Sequence, residues 1–279
     1  MIDQLAAGSA RRIVVDLPQQ RIAALQAGAP DAPVALLVPG YTGSKEDFAP
    51  LLDPLAGSGL HVVAIDLPGQ FESPGPDDPA AYTPDRLGEV VRALAARFPA
   101  PVHLLGHSFG GLVSRAAVIA EPARFASLVL LSSGPAALGG TRRASIEQLQ
   151  PVLAGAGLPG VYAAMLAAAE SEPGFAAPHP DLAEFLERRF LGGSPTMLQA
   201  MGDALRHEPD RVADLAATGV PVLVTHGVDD DAWSPSTQHD MATRLGARYA
   251  VIPGSAHSPA VENSTGTVAV LVDFWRSLG

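Results

Sequence analysis

The sequence predicts an α/β fold: a mostly parallel central sheet flanked by helices, with a helical segment inserted late in the chain. Three observations predict it. Continuous apolar runs of strand length recur along the chain, as strands buried on both faces require. Capped helical patterns alternate with those runs. One long stretch, residues 135–216, interrupts the alternation and contains no buried strand pattern.

The chain begins with two short strand-like runs, "RRIVVDL" and "RIAALQAG", split by Pro18, Gln19 and Gln20. They read as an antiparallel hairpin. The buried runs follow: "PVALLVPG" (33–40), "HVVAIDLPG" (61–69), "PVHLLGHS" (101–108), "ASLVLLSSGP" (126–135), "PVLVTHG" (221–227) and "ARYAVIPG" (247–254). Between them lie helices. Ser44 precedes one over 47–55, with Asp47 three residues on in capping-box spacing. Thr83 before Pro84, and Ser234 before Pro235, pair a capping hydroxyl with proline at the first helical position. "STGTVAVLVDFWRSL" predicts a last helix. Residues 135–216 carry amphipathic patterns separated by breaks such as "GAGLPG" and "EPGFAAPHP", and are too long for a loop inside a compact domain. They read as a helical cap on a core formed by residues 1–134 and 217–279.

Composition narrows the function. The net charge of −11 argues against nucleic acid, whose phosphates need a basic face. With no cysteine, disulfides, thiolate metal sites and a cysteine nucleophile are excluded. The start lacks a basic end followed by an apolar core of leader length, and no run approaches 18 uninterrupted apolar residues. A cytoplasmic protein without a membrane span is expected, of open oligomeric state. "HPD" (179–181) has poor metal-ligand spacing and reads as a solvated loop.

The stretch "LLGHSFGG" (104–111) carries the chemistry. Serine between two glycines, after an apolar strand and before the helix-like "LVSRAAVIA", fits a very sharp strand-to-helix turn. Gly106 and Gly110 then stand where a Cβ would collide with backbone. Such a turn lifts Ser108 above the strand ends and aims a helix N-terminus at it, favouring developing negative charge. A serine hydroxyl needs a base, oriented by a third group. "IPGSAHSP" supplies His257 just past a strand, whereas the other seven histidines have no such placement. "THGVDDDAW" supplies Asp229, Asp230 and Asp231.

The elbow Gly106-His107-Ser108-Phe109-Gly110 and the order serine, acid, histidine resemble the α/β-hydrolase superfamily over nearly all of the chain except the cap. The resemblance implies Ser108 as nucleophile and His257 as base. It implies Asp230 as the acid, since the family's acid commonly stands three residues after the glycine ending the strand, here Gly227. "VPGYTGSKEDF" resembles the family's loop after the first parallel strand, with Pro39 in place of a usual histidine; the backbone N–H groups of Tyr41 and Phe109 would form the oxyanion hole. "DLPGQFESPG" resembles the loop after the second, with Phe71 where a glycine is usual, so a different loop shape is expected there. A serine nucleophile disfavours the dehalogenase and epoxide-hydrolase branches; the elbow lacks the Gly-Gly-Ser-Trp-Gly of proline iminopeptidases, and Ser258 stands where carbon–carbon bond hydrolases tend to have an aromatic. The resemblance then implies hydrolysis of an ester, lactone or thioester through an acyl-enzyme, with no metal or organic cofactor. Perhydrolase, haloperoxidase or lyase chemistry on the same scaffold, or a slow-turnover ligand sensor, are alternatives. The cap stripes nominate Tyr162, Met165, Met197 and Met201 to line a pocket for an apolar acyl substrate.

Overall fold

The computed structural model describes residues 4–5, 8–172 and 174–279, so the expectation about a leader falls partly outside them. Eight strands form one sheet: β1 (Arg11–Leu17), β2 (Gln20–Ala27), β3 (Val34–Val38), β4 (His61–Ile65), β5 (Val102–His107), β6 (Phe125–Leu131), β7 (Val222–Gly227) and β8 (Arg248–Ile252). Their order is β1-β2-β4-β3-β5-β6-β7-β8. β1 and β2 form the antiparallel opening hairpin, and β2 joins β4 antiparallel. All later pairings are parallel. The chain leaves β3 for β4 on one side, then returns to β5 on the other. The loops after β3 and β5 therefore diverge and open a crevice at their carboxyl ends, where open α/β sheets bind ligands.

Helices cover both faces. Successive strand residues point to opposite sides. Leu36, Leu104, Leu128 and Val224 pack with α2 (Pro84–Ala95), α3 (Phe109–Ala120) and α8 (Pro235–Leu245). Leu37, Leu105, Val129 and Leu223 pack with α1 (Ala49–Gly57) and α10 (Ser264–Arg276), the latter preceded by the short α9 (Pro259–Glu262). Thr83 and Ser234 cap α2 and α8, accepting from the N–H groups of Arg86 and Thr237. Ser44 and Asp47 pair as the capping-box spacing predicts, but at the start of a 3-10 turn and not of α1 itself. A single 3-10 turn, Lys45–Phe48, precedes α1, which starts at Ala49. The Ser44 hydroxyl donates to Glu46 (2.7 Å), while the Asp47 carboxylate accepts from the Ser44 N–H (3.2 Å).

Between β6 and β7 lie α4 (Gly140–Ser171), α5 (Pro180–Leu191), α6 (Pro195–His207) and α7 (Val212–Ala216). Met197, Met201 and Leu205 of α6, with Val212 and Leu215 of α7, join the same core as α2 and α3. Leu158, Val161, Phe190 and Leu198 form a separate cluster within the insert. Gly157 (φ 63°, ψ −165°) interrupts α4, between Pro151 and Pro159. The most apolar 18-residue window of α4 has a mean hydropathy of 1.7, and 11% of it is buried. By length and composition alone α4 could cross a bilayer. The sequence has no unbroken apolar run of that length; α4 reaches this hydropathy on average, across interspersed glycine and proline.

Both ends of the insert are tied to α3 by one buried side chain. Arg115, 1% exposed, donates to the Glu208 carboxylate (2.7 Å) and to the Pro135 carbonyl (2.5 Å). The ends also meet each other: Ala137 N–H donates to Glu208 C=O and Leu138 N–H to Leu205 C=O, both at 2.8 Å. Removing one partner of a buried pair leaves an uncompensated charge. Arg115→Ala is therefore expected to destabilise the fold by about 3–5 kcal/mol in urea unfolding. The deficit should be smaller at pH 5 than at pH 8, because a stranded Glu208 binds a proton more tightly in the folded state, and that relief fades as pH rises.

Candidate active site

β5 ends at His107 and α3 begins at Phe109, so the reversal falls on Ser108 alone. Ser108 takes φ 53° and ψ −120°, a strained conformation for a residue with a Cβ, costing about 1–3 kcal/mol. Its neighbours hold it there. The Ser108 N–H donates to Leu131 C=O (2.9 Å). Its own carbonyl accepts from Gly111 N–H (2.9 Å) and the Ser133 hydroxyl (2.8 Å). A Cβ on Gly106 would lie 2.2 Å from the Gly110 oxygen, and one on Gly110 would lie 2.4 Å from the carbonyl oxygens of Val38 and Pro39. The first turn of α3 thus packs directly on β5 and on the end of β3.

Three loops converge on Ser108. Its hydroxyl lies 3.0 Å from His257 Nε2, in the loop after β8. His257 Nδ1 lies 3.0 Å from Asp230 Oδ1, in the loop after β7. Since a carboxylate only accepts, Nδ1 carries the proton and Nε2 is free to accept from Ser108. Asp230 is 4% exposed. Burial pushes its carboxyl up, but hydrogen bonding and charge from His257, the Ala232 N–H and the Gln238 amide outweigh burial and hold it below the usual range. The neighbouring acids have other surroundings. Asp231 pairs with Arg142 (2.7 Å) and Asp229 is exposed.

His107 is a site residue that the sequence reading passed over. Its Nε2–H donates to the His257 carbonyl (2.7 Å), and the two rings stand 5.1 Å apart. Burial, then the neighbouring His257, lowers its pKa to about 4, so it is neutral at pH 7. No local signal marks it, because the bond joins residues 150 positions apart.

The backbone of the loop after β3 borders the same space. A Cβ on Gly40 would come within 3.2 Å of Ser108 Cβ, so the Gly40–Tyr41 peptide lies against the serine. The Tyr41 hydroxyl turns away and donates to Leu198 C=O of α6 (2.6 Å); burial pushes its pKa up. Phe109 is the first residue of α3, so its N–H has no partner within the helix. The loop after β4 also differs from expectation. Phe71 adopts φ 36°, the left-handed backbone a glycine would take. Its ring covers the buried Lys45 ammonium (4.8 Å) and packs edge-on against Phe185 (5.9 Å). These contacts offset the strain.

A family model described as "Alpha/beta hydrolase family" matches residues 35–270. The chain belongs to the alpha/beta hydrolase family. One relative, named "Putative carbamate hydrolase RutD", from Variovorax paradoxus, is 38% identical over 106 residues; these are 38% of this chain and 40% of that protein, so the match spans less than half of either. A pimeloyl-[acyl-carrier protein] methyl ester esterase of Neisseria meningitidis serogroup B is 26% identical over 262 residues, covering 85% of this chain and 91% of the relative. Among solved structures, an enol-lactonase from Burkholderia xenovorans LB400 superposes with a TM-score of 0.78 at 20% identity, over 95% of this chain and all of that one, a likeness of fold.

In this member of the family a cavity of about 920 Å³ opens over Ser108 and His257. Its insert wall includes Ile146, Leu149, Leu153, Met165 and Leu186. Of the four nominated pocket residues, Met165 lines it and the other three do not. Tyr162 packs its ring on Phe190 (5.7 Å). Met197 borders a separate small recess with Gln70 and Phe71. Met201 is fully buried in the core. The stripes were visible, but the face each helix turns inward depends on packing across the insert. Ile146, Leu149 and Leu153 form a stripe at helical spacing that was legible and overlooked.

The "HPD" stretch, expected as a solvated loop, is exposed but opens α5. His179 accepts from the Asp181 N–H as the cap of α5. Among the described residues, Asp230, Asp231 and His257 bring ligand-type atoms within 4.8 Å of one another. Ala232, Gln238 and His257 already engage Asp230, and Arg142 engages Asp231.

The buried neutral His107 generates a pH dependence. The unfolded chain takes up a proton at this residue near pH 6.5, whereas the folded chain refuses it until about pH 4. This contribution is fully present above pH 6.5 and is lost as pH falls through that window, amounting to roughly 3 kcal/mol. Urea unfolding at pH 7.5 and 4.5 should show the drop. His107→Gln, which keeps a neutral donor, should flatten this part of the profile.

Proposed function

We propose that the protein is a serine hydrolase that cleaves a carboxylic ester, or a lactone or thioester, through an acyl-enzyme. The observation that carries this reading is the unbroken relay from the Ser108 hydroxyl through His257 to Asp230, with both contacts at 3.0 Å. His257 takes the serine proton as Ser108 Oγ attacks the acyl carbonyl, then gives it to the leaving alcohol. Asp230 holds the tautomer and stabilises the imidazolium. The negative charge that develops on the carbonyl oxygen meets the N–H groups of Tyr41 and Phe109, the latter at the positive end of α3. Water then repeats the sequence and releases the acid. These steps use side chains and backbone alone and call for no cofactor.

Residues 135–216 act as the cap of this site, on a core of residues 1–134 and 217–279. The aliphatic wall that α4 and α5 contribute favours an apolar acyl or alcohol group as substrate. A methyl ester esterase among the sequence relatives and an enol-lactonase among the structures of like fold agree with this chemistry. At the cavity wall Arg142 pairs with Asp231 and Arg189 with Asp47, while Glu172 and Glu262 add negative charge to the lining away from the aliphatic stripe.

Two measurements test the reading. Ser108→Ala should fold as the parent does and lose nearly all hydrolysis of short p-nitrophenyl esters; a tenth of the parental kcat in the purified variant would rule out Ser108 as nucleophile. Asp230→Asn should lower kcat by roughly 10³–10⁴-fold by disturbing the tautomer. Asp229→Asn and Asp231→Asn should each change it less than about tenfold, because neither carboxylate reaches His257 as Asp230 does. Reversal of that ranking would remove Asp230 from the relay.

A further inference from the structure

The catalytic reading needs the Tyr41 N–H aimed at the space over Ser108, and the structure contains a device that fixes it. Gln70, in the loop after β4, is 1% exposed. Its Oε1 accepts from Leu67 N–H at 2.9 Å. Its Nε2 donates to the Gly40 carbonyl at 2.6 Å and to the Tyr41 carbonyl at 3.3 Å. Reversing the amide would set its NH₂ against an N–H and its oxygen against two carbonyls, so only this orientation satisfies all three contacts. The loop carrying Gln70 is itself anchored, since Asp66 accepts from both the Lys45 N–H (2.7 Å) and the Lys45 ammonium (2.8 Å).

A peptide unit is planar and trans, so the Gly40 C=O and the Tyr41 N–H point in opposite directions. The Gly40 oxygen also accepts from Gly43 N–H (3.2 Å). Held by two donors, it fixes the plane of the whole unit. Gly40 and Tyr41 line the large cavity with Ser108 and His257, whereas Gln70 does not reach it and borders the adjoining small recess. Drawing the carbonyl toward Gln70 therefore turns the N–H toward the cavity. A Cβ on Gly40 would stand 3.2 Å from His107 Nδ1 and Ser108 Cβ, a tight fit, and its absence gives the backbone at Gly40 more freedom to rotate. A rotated peptide would present a carbonyl oxygen where a donor is needed.

We propose that Gln70 is the positioning residue of the oxyanion hole, clamping the Gly40–Tyr41 peptide with its N–H toward the reacting carbonyl; this rests on the acyl-transfer reading above. Gln70 touches no substrate. Its contribution belongs to the transition state, where charge sits on the oxyanion, and not to ground-state binding.

The test uses Gln70→Leu and Gln70→Met, both of which keep the bulk and lose the donor. Thermal melting identifies which variant is folded, and either suffices. With a p-nitrophenyl ester, kcat should fall about 10–100-fold while KM stays within about threefold, less than the full loss expected for deleting a donor. Inhibition by a trifluoromethyl ketone, which forms an oxyanion adduct with a serine nucleophile, should weaken by the same factor as kcat. Inhibition by the matching carbinol, which has no carbonyl, should not change. A kcat within twofold of the parent, or equal weakening of ketone and carbinol, would overturn the proposal. Failure of the parent protein to hydrolyse esters through Ser108 would sink the acyl-transfer reading instead. The crystal structure of Gln70→Leu then decides the clamp: a rotated Gly40 carbonyl supports it, and an unmoved one overturns it.

Discussion

The site depends on how closely the first turn of α3 crosses the ends of β3 and β5. That crossing has room for backbone only: side chains at Gly106 or Gly110 would meet carbonyl oxygens at 2.2–2.4 Å. Close approach forces the chain to reverse within one residue, and Ser108 bears the strain at φ 53°. Its reward is geometric. The hydroxyl stands clear of the sheet, beside a helix N-terminus, where loops from β3, β7 and β8 can all reach it. A looser crossing would relax Ser108 and bury its hydroxyl against the strand.

Around that reversal, rigidity comes from polar groups that find their partners inside. Asp230 receives His257, Ala232 and Gln238 together; His107 steadies the far side of the His257 loop; Lys45 is ringed by Asp66, Glu46 and Glu72. Burial pushes the Lys45 ammonium down, but those three carboxylates outweigh it and keep it charged. Such networks are costly if half-satisfied and specific if complete. Here they connect the loops after β3, β4, β7 and β8, so the groups over Ser108 are held from several sides.

Much of this was legible in the sequence, for physical reasons. Strands buried on both faces read as unbroken apolar runs, and each of the six proposed from 33 to 254 contains a strand. Thr83–Pro84 and Ser234–Pro235 marked helix starts because capping is a local interaction. The elbow was visible because sterics demand glycine at fixed spacing. What escaped were features that depend on distant partners. His107 has meaning only through the His257 carbonyl. Phe71 accepts a glycine's backbone because Lys45 and Phe185 cover its ring. Among the methionines, Met165 faces the cavity and Met201 the core because of how α4 and α6 lie in the insert, which helical periodicity does not specify.

The two ends of the insert sit side by side, joined by the Ala137–Glu208 and Leu138–Leu205 hydrogen bonds and by Arg115 beneath. A segment whose ends already touch is, topologically, a closed loop hanging from a fixed point. The entropy of closing such a loop grows only with the logarithm of its length. Lengthening, shortening or exchanging the chain between those ends thus disturbs the sheet little. The stretch between those ends can therefore change without rebuilding the sheet below, so long as the replacement carries its own apolar face for α2 and α3.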